Sequence, residues 1–465
     1  MGLLLVILAI LVNIINISCS NCPDRQWIEQ SLTKARIPGA TVIVVNATHT
    51  LYEEAFGFQS LVPPVRMNID ESIFPLASLS KTFIAAAVMQ LVEKELVDLD
   101  TDVNQYLSEP NKRIFHPQYP SHSITLRKLL SHSASIFVDY TVQNTYYQPG
   151  DTAYEQKTLA DMVYQYVNPN TSNWLPKPPG SVASYSNEGA ALAALVVERV
   201  AKMSYSEYVK EKILKPLGVD ISKAGVRLSD FATTENLVKH YAYAFNTSYL
   251  EGWKYFIPQL NITQIPGDLP TWLYIPDFSF NFYPSGLLRM STKTLSVYLR
   301  MFINNGSSIL LPRSIAEMRT IVGGGLIPPY NHDSTSDSTG EAPPPPPQYG
   351  LSWYWTTMSD GRRYIGHTGF LPGMSHLMLV NEKHSIGVIL LSNADILGPT
   401  HLGREIAETG INIHMSLFQC FDANTITPTV NPTVNPTVPA SAFRVTTTLF
   451  DFSVTIFIFL WFLLF

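Results

Sequence analysis

"ASLSKTF", Ala77–Phe83, is the stretch on which the reading of this chain turns. Its serine and lysine, Ser78 and Lys81, stand three positions apart, one helical turn from each other on the same face. A serine hydroxyl is a weak nucleophile until a neighbouring base takes its proton. A lysine can be that base only when neutral, so its ordinary pKa of about 10.4 must fall through burial or nearby positive charge. The preceding "IFPLASL" reads as strand or loop, and the following "KTFIAAAVMQ" as helix. Ser78 therefore falls at or just before a helix start. Lys81 opens a helix that is apolar nearly all round, a place suited to desolvating an amine. The same residues also fit an N-cap serine followed by a snorkelling lysine. A second match, Ser31–Lys34, shows how little the bare pattern means. In "RQWIEQSLTKARIPG" the apolar face is Trp27, Ile28, Leu32 and Ala35, which leaves Ser31 and Lys34 on the polar face of an amphipathic helix stopped by Pro38-Gly39.

Context comes from two further stretches. "PPGSVASYSNEGAALAALVVERV" holds Tyr185-Ser186-Asn187 just before a helix, and "YIGHTGFLPGMSH" holds His367-Thr368-Gly369 on a strand. Singly, each is ordinary. In the order S-x-x-K, Y-x-N, H-x-G, the chain resembles the serine β-lactamase and penicillin-binding-protein superfamily. It looks most like the class C β-lactamase-related branch, which includes esterases and D-amino-acid peptidases. "ITLRKLLSHS", "SYSEYVKEKILKPLGV", "YPSGLLRMSTKTLSVYLRMF" and "LPGMSHLMLVNEKHSIGVILLSNAD" extend the resemblance from Ile37 to Asn393.

The resemblance implies a catalytic set. Ser78 would form an acyl-enzyme, and Lys81 and Tyr185 would share the proton transfers. Asn187 would hydrogen-bond Lys81 and the substrate amide. The backbone N–H groups of Ser78 and Phe370 would form an oxyanion hole. His367 stands where many relatives carry lysine, and a histidine holds little charge at neutral pH. The expected substrate is thus a small molecule or short peptide with an ester, amide or D-amino-acid peptide bond, rather than a carboxylated β-lactam. Phe370 follows Gly369 where relatives have a small residue, so a bulkier oxyanion rim is expected. Ser135 replaces a glycine usual in relatives, and His132 is read as a structural loop residue. The competing function is a catalytically inactive cell-surface binding module that retains the fold. Histidines lack metal-ligand spacing, so neither metal nor cofactor is expected.

The expected fold is α+β: an antiparallel sheet flanked by N- and C-terminal helices, with an inserted all-α subdomain, as in β-lactamases and transpeptidases. "ATVIVVNATHTLYEEAFGF" reads as a hairpin turning near Asn46, and "YGLSWYW", "RRYIGHTG", "SHLMLVN" and "SIGVILLSN" as a later strand set.

The 465 residues are ample for such a domain, and the mild net charge of −6, without a basic run, gives no sign of nucleic-acid binding. Residues 1–20 read as a signal peptide, with an apolar run Leu3–Val12 and small residues Ser18 and Ser20 before the cut. Residues 21–420 form the hydrolase domain. Residues 421–442 repeat Pro and Thr and read as a stalk. Residues 443–465 end in "FSVTIFIFLWFLLF", short for a membrane span, which makes them a GPI-attachment signal or a tail anchor. The chain is thus expected at the cell surface, held to the membrane through its C-terminus. Cutting after Ser20 leaves Cys22 and Cys420, an even pair expected to form a disulfide between the terminal helices. Sequons at Asn46, Asn170, Asn246, Asn261 and Asn305 suit a glycosylated secreted surface.

Overall fold

A computed structural model describes residues 22–109, 112–330, 346–397 and 400–423. The expected signal peptide and apolar tail lie outside the described residues, as does the expected stalk from residue 424 on; residues 421–423, expected in the stalk, continue the C-terminal helix.

The chain opens with helix α1 (Arg25–Lys34), whose N-cap Asp24 accepts the Trp27 N–H. Ile28, Leu32 and Ala35 are buried as expected, but Trp27 is 39% exposed. Each residue advances about 100° around a helix, so Trp27 sits a quarter turn off the stripe. Strands β1 (Gly39–Val45) and β2 (Thr50–Leu61) form the expected hairpin. The Asn46 side-chain oxygen accepts from the Thr48 and His49 N–H groups and fixes the turn. A short β3 (Pro64–Arg66) continues from it.

Five late strands complete one sheet: β4 (Gln348–Tyr349), β5 (Tyr354–Thr357), β6 (Arg363–Leu371), β7 (Met374–Asn381) and β8 (Gly387–Ser392). The order is β4-β5-β6-β7-β8-β1-β2-β3, antiparallel throughout, with β1 and β8 joining the chain's two ends at the centre. Side chains alternate across it. Ala40, Val42 and Val44 of β1 enter one core with Ile28, Leu32 and Phe418, while Ile43 and Val45 enter the other with Phe83 and Ile84. The first core is covered by α1 and the C-terminal helix, Thr400–Ala423. Cys22 and Cys420 are disulfide-bonded there, as expected, with Cα atoms 4.8 Å apart.

The segment between β3 and β4 covers the sheet's other face. Its central helices are α2 (Ser80–Glu93) and α3 (Asn187–Ala201), packed on each other; α4 (Thr292–Ile303) lies across β1 and β8. This insert is not all-α. His240–Ala244, Thr271–Ile275 and Thr263–Gln264 form a three-stranded antiparallel sheet, and Ile73–Pro75 pairs with Arg289–Ser291. "HYAYA" and "TWLYI" are five-residue runs rich in the aromatic and branched residues that favour strands.

Candidate active site

Ser78 lies in a single 3₁₀ turn, Ala77–Leu79, that runs directly into α2. The turn is held on several sides. Leu76 N–H donates to the Leu288 carbonyl, and Leu288 N–H donates to Ser80 Oγ. Ala77 takes a left-handed φ of 49°, a conformation that costs a non-glycine residue about 1–2 kcal/mol and is maintained by its surroundings. Strand β6 presses against the turn at Gly369. A Cβ there would meet the Leu76 carbonyl oxygen at 2.9 Å and the Ser78 nitrogen at 3.3 Å, so only glycine allows this approach.

Lys81 follows one helical turn later and is 0% exposed. Its Nζ lies 3.0 Å from Ser78 Oγ and donates to the Ser285 carbonyl at 2.8 Å. Burial holds its pKa well below the ordinary lysine range, and the charge of Glu188 opposes that only in part. With one N–H committed to Ser285, a neutral amine still has a lone pair for the Ser78 hydroxyl. Tyr185 arrives from the segment before α3, its ring centroid 4.9 Å from Lys81 Nζ. Residues 78, 81 and 185, drawn from two distant segments, therefore share one site.

His132 backs this trio. Its ring lies 4.3 Å from that of Tyr185, and its Nδ1 accepts the Ser186 N–H at 3.2 Å. It holds the Tyr185 segment in place, in keeping with the structural role expected of it. Ser135 adopts a φ of 61°, so the turn usual for glycine is retained, and its hydroxyl donates to the Lys177 carbonyl.

His367 projects from β6 with the parity of Ile365 and Leu371, toward the Ser78 side. Its ring centroid is 6.1 Å from that of Tyr185 and 5.1 Å from that of Tyr354. Burial, and then the charge of Lys81, lower its pKa to about 3, so it is neutral at physiological pH. Phe370 has the opposite parity, and its ring packs with the core under α1. The expected bulky rim is thus absent: strand alternation sends that side chain away from the nucleophile, leaving only backbone beside it.

Asn187 opens α3. Its Nδ2 lies 3.5 Å from Gln143 Oε1, while the hydrogen bonds of Lys81 go to Ser78 and Ser285. Ser285, Gln143 and Glu188 belong to the site but were not singled out by sequence. Ser285 acts through its backbone carbonyl, which leaves no side-chain signature. Of the sequons, Asn170, Asn246, Asn261 and Asn305 are exposed and Asn46 is half-buried. Among the described residues, no helix is long and apolar enough to cross a membrane.

The Beta-lactamase family profile matches residues 25–409, and the chain belongs to that family. It is 23% identical over 366 residues to Protein flp of Staphylococcus aureus (strain N315), across 79% of this chain. It spans only 61% of that relative's length. Among solved structures it is similar to the octameric penicillin-binding protein homologue from Pyrococcus abyssi, with a TM-score of 0.62, 19% identity and coverage of 86% of this chain and 79% of that one. It is also similar to the D-amino acid amidase from Ochrobactrum anthropi SV3, with a TM-score of 0.61, 17% identity and coverage of 84% and 97%. These structural likenesses establish the fold, antiparallel sheet and helices alike.

Proposed function

We propose that this chain is a serine hydrolase that forms an acyl-enzyme on Ser78 and cleaves an uncharged ester, amide or D-amino-acid peptide bond. The observation that carries the reading is a fully buried amine, Lys81 Nζ, 3.0 Å from the hydroxyl it must deprotonate. Neutral Lys81 takes the Ser78 proton as Oγ attacks the substrate carbonyl. The backbone N–H groups of Ser78 and Phe370 receive the developing oxyanion. As the carbonyl re-forms, the bond to the leaving group breaks. Tyr185 delivers that group's proton and regains one from Lys81. Water then attacks the acyl-enzyme, losing its proton to the same pair and restoring the Ser78 hydroxyl. Neutral His367 offers no fixed charge to a substrate carboxylate, which favours neutral substrates over carboxylated β-lactams. The D-amino acid amidase likeness supports an amide substrate.

We further propose a cell-surface setting, with the C-terminal tail as a GPI signal. The Cys22–Cys420 bond and the exposed sequons support an oxidising, glycosylating compartment. Release of the protein from cells by a phosphatidylinositol-specific phospholipase tests the anchor; retention would favour a tail anchor.

The activity is tested with a fluorophosphonate probe on purified full-length protein. Labelling of the wild type that is lost in a folded Ser78→Ala variant is the expected result. An unlabelled but well-folded wild type would instead point to the binding-module reading. A parallel assay should show turnover of short acyl esters exceeding that of a chromogenic cephalosporin at pH 7.5.

A further inference from the structure

Glu188 is the second residue of α3 and is 0% exposed, directly behind the catalytic residues. A carboxylate at a helix N-terminus is favoured by the helix dipole, and capping would be the simplest account of it. Its partners say more. Oε1 accepts from Gln143 Nε2 at 2.6 Å, and Oε2 accepts from Ser186 Oγ at 3.1 Å. Gln143 Oε1 faces Asn187 Nδ2 at 3.5 Å, and Ser186 Oγ accepts the Gly189 N–H at 2.9 Å. Both carboxyl oxygens of Glu188 accept in this arrangement, although the Ser186 hydroxyl keeps a second lone pair that can take a carboxyl proton on Oε2. Burial pushes the Glu188 pKa up, and the bonds from Gln143 and Ser186 and the charge of Lys81 offset that only in part.

Direction then propagates. Glu188 Oε1 takes the Gln143 amide N–H whether or not Oε2 carries a proton toward Ser186; Gln143 then turns its oxygen to Asn187, and Asn187 its N–H₂ to Gln143. The Asn187 oxygen is left as the acceptor available to a donor in the site. We infer that Glu188 is a positioning residue. Through Gln143 it sets the orientation of the Asn187 amide, and when ionised it favours the protonated form of Lys81. This rests on the hydrolase reading above. The groups facing Glu188 are Lys81 on α2, Ser186, Gln143 and Tyr146 from the preceding segments, and Tyr166 from helix Leu159–Tyr166. Lys81 faces Ser78, Tyr185, His132 and His367 besides.

Glu188→Gln keeps shape but supplies an N–H₂ that can reverse the chain. Gln143→Leu breaks the chain and spares the charge. In full-length protein, kcat/KM on an acyl amide should fall roughly tenfold to a hundredfold in each, as for a misplaced binding group. The double variant should lose no more than the worse single one, since both cut the same chain. The acid limb of the pH profile should move to lower pH in Glu188→Gln, because the carboxylate that favours protonated Lys81 is gone, and should stay put in Gln143→Leu. Additive losses, or an unmoved limb in Glu188→Gln, overturn the inference while wild-type probe labelling keeps the hydrolase reading intact. A wild type that is never labelled overturns both. If Glu188→Gln does not fold, Gln143→Leu decides alone, with wild-type kinetics refuting the relay.

Discussion

Lys81 is the residue at which burial and chemistry meet. An amine taken out of water resists protonation, and that same resistance makes it a base at neutral pH. Replacing it with methionine, similar in length and apolar, should lower kcat/KM by roughly 10²–10⁴-fold, the usual share of a general base. Thermal stability should fall modestly, by about 1–3 kcal/mol, because methionine leaves the buried Ser285 carbonyl without its donor. Paired kinetics and calorimetry check this; a lost fold in Lys81→Met would mean that the amine is chiefly structural. In the wild type the rate should fall as pH drops through the lowered Lys81 pKa, since protonation removes the lone pair. Ser78, Lys81 and Tyr185 were readable in the sequence because each sits in a short ordered motif. Gln143 and Glu188 were not: their link spans 45 residues and involves an amide whose neighbours carry no pattern. Phe370 was read by its place in a motif, whereas the parity of its strand decides where it points.

At the scale of elements, the site is a meeting of three pieces: the turn entering α2, the segment entering α3, and strand β6. The nearest approach is between β6 and the turn. Gly369→Ala should therefore push the strand from the Ser78 turn, because the Leu76 carbonyl at 2.9 Å is backbone and cannot swing aside. Probe labelling of Ser78 should slow by an order of magnitude or more, roughly in line with the cost of misplacing an oxyanion donor. A variant with unchanged labelling would show that the oxyanion site tolerates displacement. The central hairpin, the late strands and the terminal helices were legible from periodicity and turn residues. The insert's small sheet was not. Its strands are short, and the two that pair along their full length, "HYAYA" and "TWLYI", are separated by the helix Thr247–Phe256, so no tight turn announces the pairing.

The whole molecule carries several histidines that folding keeps neutral. Burial lowers His240, His376 and His414 from 6.5 to about 4, and His367 to about 3. In the unfolded chain they take up protons near pH 6.5; in the folded one they do not until about pH 4 or below. The unfolded state binds more protons in that window, so stability rises with pH across it and is lost as pH falls from 6.5 toward 4. By pH 4.5 each withheld proton costs roughly 3 kcal/mol, large beside a total stability of about 5–15 kcal/mol. A melting temperature that stays flat from pH 7 to pH 4.5 would contradict this. The disulfide acts at the same scale. It joins residues 398 apart, and replacing both Cys22 and Cys420 with serine should remove about 2–4 kcal/mol. Labelling of Ser78 in the surviving fold should be unchanged, because the bond lies on the far face of the sheet.

That bond also decides how a pull would travel. Tension applied beyond residue 423 enters the last helix and, at Cys420, crosses to Cys22 before it can peel that helix from β8. The first strand and the eighth are neighbours, so the strain is shared between both ends of the chain at the middle of the sheet. Unzipping from the C-terminus is thereby denied its easiest starting point, and the domain should yield under traction only as a unit.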